Sequence, residues 1–192
     1  MNVALALVLA ALVGVPERPP IVSFQNREVR HEKFDHGFIY PAMPASVTMV
    51  ADVAVVSLPQ KGVGTVFGRR GWHNRLCVDS SGRLDWGCFA WDGKRSANVK
   101  SDTRLVPGKT YRLAGVLDCS LGNETRLRLY VDGREEGRSA VFEGAPWNYP
   151  WCVEVGQIGW SADGSHKDPS DCVFRNFWYF YKPLTGEEIK GL

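Results

Sequence analysis

Several of the seven tryptophans in this chain stand in loop-like segments, beside side chains that form directional hydrogen bonds. An aromatic ring presents a flat apolar face to a pyranose, while amide, carboxylate and guanidinium groups orient the sugar hydroxyls. This combination predicts a carbohydrate-binding surface. The candidate residues are Trp72, Asn74, Trp91, Trp147, Tyr149 and Trp160. The alternative for any single ring is a place in the hydrophobic core, as we expect for Trp86 and Trp178.

A second group of reactive side chains lies in the acidic run SADGSHKDPSD near the C-terminus. Asp163, Asp168 and Asp171, with neighbouring carbonyl groups, offer hard oxygen ligands at irregular loop spacing, which suits Ca²⁺. The sequence has no EF-hand pattern. These three residues therefore define a candidate Ca²⁺ site, with an ordinary solvated loop as the alternative.

The segment RLRLYVDGREEG indicates which elements position such loops. Leu127, Leu129 and Val131 alternate with polar residues, which is the period of a strand with one buried and one exposed face. The Asp132-Gly133 pair that follows is a hairpin signal, because glycine tolerates the positive φ of a tight turn. The pattern predicts an all-β domain of antiparallel strands.

Five segments in succession carry a family resemblance: FGRRGWHNRLCVDSSGRL, LVPGKTYRLAGVLD, LRLYVDGREEG, VGQIGW and YKPLTGEEI. Together they resemble the laminin-G-like jelly-roll domains of the concanavalin A-like lectin and glucanase superfamily, over roughly residues 47–192. The lectin domain of trypanosomal trans-sialidases is a narrower relative with a similar VDG strand. The resemblance implies an antiparallel jelly-roll β-sandwich. Thr185 and Glu188 form a capping box, which predicts a short helical turn at the C-terminus.

The resemblance and the aromatic loops together favour a non-catalytic, lectin-like module. The glucanases of this superfamily carry paired glutamates in an E-x-D-x-E run, because retaining hydrolysis needs two carboxyl groups about 5 Å apart. This chain has no such run, and the adjacent Glu135 and Glu136 must point to opposite faces of a strand. Two alternatives stay open: a protein-interaction or structural laminin-G-like module, and a glycanase-like domain with a degenerate site.

The N-terminus predicts export. Residues 3–15 are an unbroken apolar run that suits the central region of a signal peptide and is shorter than the roughly 20 residues of a spanning helix. We therefore expect residues 1–20 to be a signal peptide with a Pro-rich leader, and residues 21–192 to be a single domain that is secreted or periplasmic. A buried N-terminal element is the alternative, since Lys and Arg are missing from the first residues.

The five cysteines are an odd set, so at most two disulfides form and one thiol remains. The first choice is a bridge between Cys152 and Cys172, because each opens a strand and the two flank one polar loop. Such a bridge would contribute about 3 kcal/mol. Cys77 and Cys88 lie on the two arms of one hairpin, on opposite faces unless a bulge intervenes. Buried free thiols are the alternative for these two.

Composition and charge limit the partners. At 192 residues the chain is long enough for one domain with a sizeable core. The formal net charge is +2 and the signs are interspersed, so the sequence lacks the basic surface of nucleic-acid-binding proteins. We expect a glycan or an extracellular protein as partner, no nucleic acid and no membrane span.

Overall fold

The computed structural model of the chain contains two antiparallel sheets that enclose one hydrophobic core. It describes residues 20–34, 46–69, 74–89, 96–146, 153–157 and 169–192. The strands are β1 (Val22–Phe24), β2 (Glu32–Phe34), β3 (Val47–Val55), β4 (Val63–Arg69), β5 (Asn74–Asp79), β6 (Arg83–Phe89), β7 (Ser96–Arg104), β8 (Thr110–Leu121), β9 (Glu124–Val131), β10 (Arg134–Glu143), β11 (Val153–Val155) and β12 (Cys172–Phe180). A single short helix, α1 (Gly186–Lys190), follows them in the described part of the chain.

The strand order is that of a jelly roll. The first sheet has the order β1-β12-β3-β8-β9-β10, and the second sheet has the order β2-β11-β4-β5-β6-β7. All neighbouring strands pair antiparallel, and several neighbours are distant in sequence, as β12 is from β1 and β3. The predicted antiparallel jelly-roll β-sandwich is confirmed.

The core is built from alternate residues of both sheets. Leu127, Leu129 and Val131 of β9 face inward, as their spacing predicts. Trp86 is fully buried at the centre, where its indole Nε1 donates a 3.1 Å hydrogen bond to the carbonyl oxygen of Val116. The prediction that Trp86 belongs to the core is confirmed.

The outer face of the first sheet is partly covered by the C-terminal segment. Trp178 and Tyr130 on that face form a second apolar cluster with Leu184 and Ile189. The Thr185 side chain accepts a hydrogen bond from the backbone N–H of Glu188, and the Glu188 carboxylate accepts one from Thr185, so the predicted capping box is confirmed. The second sheet is therefore the one whose outer face lacks this C-terminal cover.

The described cysteines carry free thiols. Cys77 and Cys88 are buried on different faces of the second sheet. Cys88 belongs to the core cluster and pairs with Asn74, whereas Cys77 pairs with Asp85 on the outer face. The predicted bridge between Cys152 and Cys172 is not formed in the structure. Cys172 lies in the core as a free thiol whose burial raises its pKa to about 11, and Cys152 lies outside the described residues.

The leader prediction concerns residues 1–20, of which residues 1–19 lie outside the described part of the chain. The described part of the chain has no helix with the length and apolar character needed to cross a membrane.

Candidate functional site

One continuous row of residues crosses the outer face of the second sheet. Strand register places its members side by side: Lys33, Glu154, Gly68, Arg75, Gly87 and Asn98. Because side chains alternate between the two faces of a strand, all of these residues point away from the core. The row combines charged and amide groups with two positions that carry no side chain.

A pocket of about 190 Å³ lies against one end of this row. Its lining includes Arg75, Cys77, Asp85, Gly87, Phe89 and Asn98. This volume is below the roughly 300–1,000 Å³ of pockets for drug-sized ligands, so it suits a small group such as one sugar ring.

Two polar side chains of the pocket, Asn98 and Asp85, are joined by hydrogen bonds. The Asn98 amide donates to both carboxylate oxygens of Asp85, at 3.1 Å each. A carboxylate has about four acceptor sites, so Asp85 keeps the capacity to accept hydrogen bonds from ligand hydroxyls. Arg75 is only 9% exposed and brings a guanidinium group to the same wall. The arrangement offers both donors and acceptors to a hydroxylated ligand.

Gly87 leaves the middle of the pocket open. A Cβ atom added to Gly87 would have its nearest neighbours at 3.7 Å, the carbonyl oxygen of Ala97 and the Cβ of Asn98, which is ordinary van der Waals contact. Packing therefore does not require glycine at this position. The absence of a side chain there instead contributes space next to Arg75 and Asp85.

All five aromatic residues predicted to bind sugar lie outside the described residues: Trp72, Trp91, Trp147, Tyr149 and Trp160. The strand ends nevertheless show where their segments attach. Segments 70–73 and 90–95 connect β4 to β5 and β6 to β7, and segment 147–152 leads into β11. Since these strands are antiparallel neighbours, the three segments join the second sheet at the same end, where the pocket also lies. Segment 158–168, with Trp160, follows the opposite end of β11.

Asn74 is the one predicted sugar-binding residue that the structure describes. It faces the interior, where it is 2% exposed and lies opposite Arg69 and Cys88. Its position separates it from the pocket, which lies on the other face of the sheet. The pocket side chain of β5 is the next residue, Arg75, and the sequence signal for it is the strand alternation in NRLCVD.

The candidate Ca²⁺ ligands are described only in part. Asp171 accepts hydrogen bonds from Ser57 Oγ and Arg30 Nη1, both at 2.6 Å, and these contacts lower the pKa of its carboxyl group. Asp163 and Asp168 lie outside the described residues. Within the described part of the chain, no three His, Cys, Asp or Glu side chains are grouped as a metal site. The Ca²⁺ site stays a prediction.

The carboxylates considered for catalysis are separated by the fold. Glu136 is 2% exposed and its neighbour Glu135 is exposed, so the two point to opposite faces of β10, as predicted. A further carboxylate, that of Glu154, lies in the row on the outer face, where it is buried and has an oxygen 3.9 Å from Nε2 of His31.

Comparison with known proteins identifies the class. A laminin-G family model of the concanavalin A-like lectin/glucanases superfamily matches residues 42–190, which is most of the chain. The chain therefore belongs to this superfamily. A comparison with curated protein sequences finds no match.

Three solved structures with a similar fold come from sialidases. The CBM40 module of the Ruminococcus gnavus IT-sialidase, solved with α2,3-sialyllactose, has a TM-score of 0.62 at 11% identity, covering 89% of this chain and 97% of that one. The Streptococcus pneumoniae NanB sialidase has a TM-score of 0.68 at 14% identity, and the match covers 91% of this chain and 28% of that one. The Trypanosoma rangeli sialidase has a TM-score of 0.57 at 18% identity, and the match covers 77% of this chain and 22% of that one. At these identities the likeness shows the fold alone.

Proposed function

We propose that this chain is a non-catalytic, lectin-like module that binds a glycan on the outer face of the second sheet. The observation that carries the proposal is the pocket in which Asp85, Asn98 and Arg75 converge around Gly87. Asp85 accepts hydrogen bonds from sugar hydroxyls, and Asn98 holds Asp85 in place. Aromatic rings from the segments that join the sheet beside the pocket would stack on the sugar.

The buried guanidinium of Arg75 favours a sugar that carries a carboxylate. An arginine forms two parallel hydrogen bonds to a carboxylate, and a site sheltered from water strengthens them. The acidic sugar bound to the R. gnavus module is consistent with this preference. A shallow site of this size offers few buried contacts, so we expect micromolar to millimolar affinity, or about 4 to 8 kcal/mol.

A glycan array that contains neutral and acidic sugars tests the proposal. We expect acidic glycans to bind, and Asp85→Ala, Trp147→Ala and Tyr149→Ala each to reduce the signal at least tenfold. Asp102→Ala is the matched control, because Asp102 is exposed on the same strand as Asn98, outside the pocket lining, and should leave binding unchanged. A blank array would reject the lectin function and favour a protein partner, to be sought by pull-down. Three variants that bind as wild type does would reject this site for the glycan.

Export and Ca²⁺ dependence belong to the same proposal. If residues 1–20 are a cleaved signal peptide, the intact mass of secreted protein will lack them. If Asp163, Asp168 and Asp171 hold Ca²⁺, EDTA will lower the melting temperature, and an unchanged melt would remove the ion from the proposal.

A further inference from the structure

A polar layer lies inside the sandwich, beneath the end where the aromatic segments attach. Phe67 of the second sheet and Phe177 of the first sheet are in contact across the core, with ring centroids 6.1 Å apart and ring planes tilted by 55°. Two residues further along the same strands, Arg69 and Tyr179 also face the interior, and they are 3% and 0% exposed. A layer of aromatic rings is thus followed by a layer that contains a buried guanidinium group.

Two more polar side chains complete this layer. Tyr181 packs edge-on against Tyr179, with ring centroids 5.4 Å apart, and Asn74 lies opposite Arg69 in the β4–β5 register. Across the described part of the chain, the hydroxyls of Tyr179 and Tyr181 and the Oδ1 atom of Asn74 are buried without a hydrogen-bond partner. Buried polar atoms are normally paired with protein, water or an ion, so these three atoms leave hydrogen-bonding capacity in one layer.

The charges of the layer indicate which ligand. Burial raises the pKa of Tyr179 well above its usual value and that of Tyr181 to about 12, although the positive charge of Arg69 lowers both. Both hydroxyls are therefore protonated at neutral pH and can donate hydrogen bonds. A half-turn of the Asn74 amide group would place its two N–H donors where Oδ1 now lies. Donors and a cation together suit an anion.

We propose that this layer binds a small inorganic anion, such as a halide, through the hydroxyls of Tyr179 and Tyr181 and close to the guanidinium of Arg69. The site is separate from the outer-face pocket and does not depend on the glycan-binding function. Its role is to complete the hydrogen bonding at this end of the sandwich, so its occupancy controls how stable the domain is.

The first test is thermal unfolding of the full chain in sodium bromide or sodium gluconate at one ionic strength. We expect bromide to raise the midpoint of wild type by about 3–6 °C once it reaches roughly ten times its Kd, and gluconate, which is too large, to have no such effect. Tyr179→Phe and Tyr181→Phe should lose the bromide response. Tyr111→Phe should keep it, because the Tyr111 hydroxyl is engaged elsewhere and accepts from the Val106 backbone N–H at 3.0 Å.

The second test locates the ion. An anomalous bromide peak within hydrogen-bond distance of the Tyr179 and Tyr181 hydroxyls, in crystals grown with bromide, would support the proposal. It would be overturned by water alone at that place, or by equal midpoints in both salts. A Tyr179→Phe variant more stable than wild type in every salt would also overturn it, because removing an unsatisfied buried hydroxyl is stabilising when nothing binds there.

Discussion

The carboxylate of Glu136 accepts a 2.8 Å hydrogen bond from the backbone N–H of Thr103, and this contact joins β10 of the first sheet to β7 of the second. The same carboxylate also accepts hydrogen bonds from the N–H of Asp102 at 3.0 Å and from Nη2 of Arg134 at 2.7 Å. Both strands are at the edges of their sheets. Glu136 therefore closes one side of the sandwich.

Glu136→Gln should destabilise the domain by about 1.5–3 kcal/mol, the usual contribution of hydrogen bonds to a charged group. Urea unfolding would measure the loss. Glu135→Gln is the control, because Glu135 is exposed on the same strand and should have little effect. If both variants unfold at the same urea concentration as wild type, the sandwich does not depend on this contact.

Acid should weaken the same contact. Burial alone would raise the pKa of Glu136, but hydrogen bonds from Thr103 and Arg134 outweigh it and hold the pKa below its usual value. The stabilisation is then complete above the unfolded-state pKa of about 4.3 and disappears as pH falls through the lower folded-state pKa. Stability measured from pH 6 to pH 3 should fall more steeply for wild type than for Glu136→Gln. Parallel curves would contradict the linkage.

Trp86 depends on a glycine in the opposite sheet. A Cβ atom added to Gly115 would lie 2.6 Å from the Trp86 ring, which is fully buried and cannot move aside. Gly115→Ala should therefore cost about 1–3 kcal/mol through overpacking. Calorimetry would show the lower midpoint, and the double variant Gly115→Ala with Trp86→Phe should recover part of the loss. A Gly115→Ala protein as stable as wild type would show that the two sheets separate easily.

A side chain introduced at Gly87 would fill the pocket, and its Cβ atom would not clash with neighbouring atoms. Gly87→Leu should remove glycan binding while the melting temperature stays within a few degrees of that of wild type, since an added Cβ meets only atoms at 3.7 Å. Gly87→Ala is the graded control, because one methyl group fills less of the pocket and should weaken binding less. Titration of each variant with a glycan that binds wild type gives the comparison. Unchanged binding by Gly87→Leu would move the site away from this pocket.

Local patterns in the sequence predicted the strands and the helix cap. The alternation of Leu127, Leu129 and Val131 and the capping box at Thr185 involve neighbouring residues only, so they are visible without the fold. The pocket was not predicted, because Arg75 and Asp85 meet only through the register of two strands. The sequence pattern indicated Asn74, the residue before Arg75. A difference of one position along a strand places the side chain on the other face of the sheet.

Strand pairing shows where Cys172, one partner of the predicted disulfide, lies. Cys172 begins a strand, as expected, but it lies opposite Val55 in the core of the first sheet. Spacing along the chain gives no information on which face of a strand a cysteine occupies once a bulge intervenes. One such irregularity separates Phe174 from Asn176 in the same strand.

One arginine links the end of the C-terminal helix to the first sheet, in addition to the apolar contacts of Leu184 and Ile189. Arg112 donates to both carboxylate oxygens of Asp52, at 2.7 and 2.8 Å, and its third nitrogen lies 3.3 Å from the carbonyl oxygens of Ile189 and Lys190. Its guanidinium group is also 5.2 Å from the centre of the Trp178 ring. Lysine cannot reproduce this planar, multidentate arrangement, although it keeps the charge.

Arg112→Lys should therefore destabilise the domain by about 2–3 kcal/mol, less than for a fully buried pair because both partners keep some exposure. The loss should be local as well as global: amide hydrogen exchange in residues 186–192 should become faster than in the rest of the first sheet. Arg128→Lys is the matched control, since Arg128 makes a longer contact of 3.5 Å with Asp118 on the same sheet and does not reach the helix. Equal exchange in the two variants would show that apolar packing of Leu184 and Ile189, rather than Arg112, keeps the helix in place.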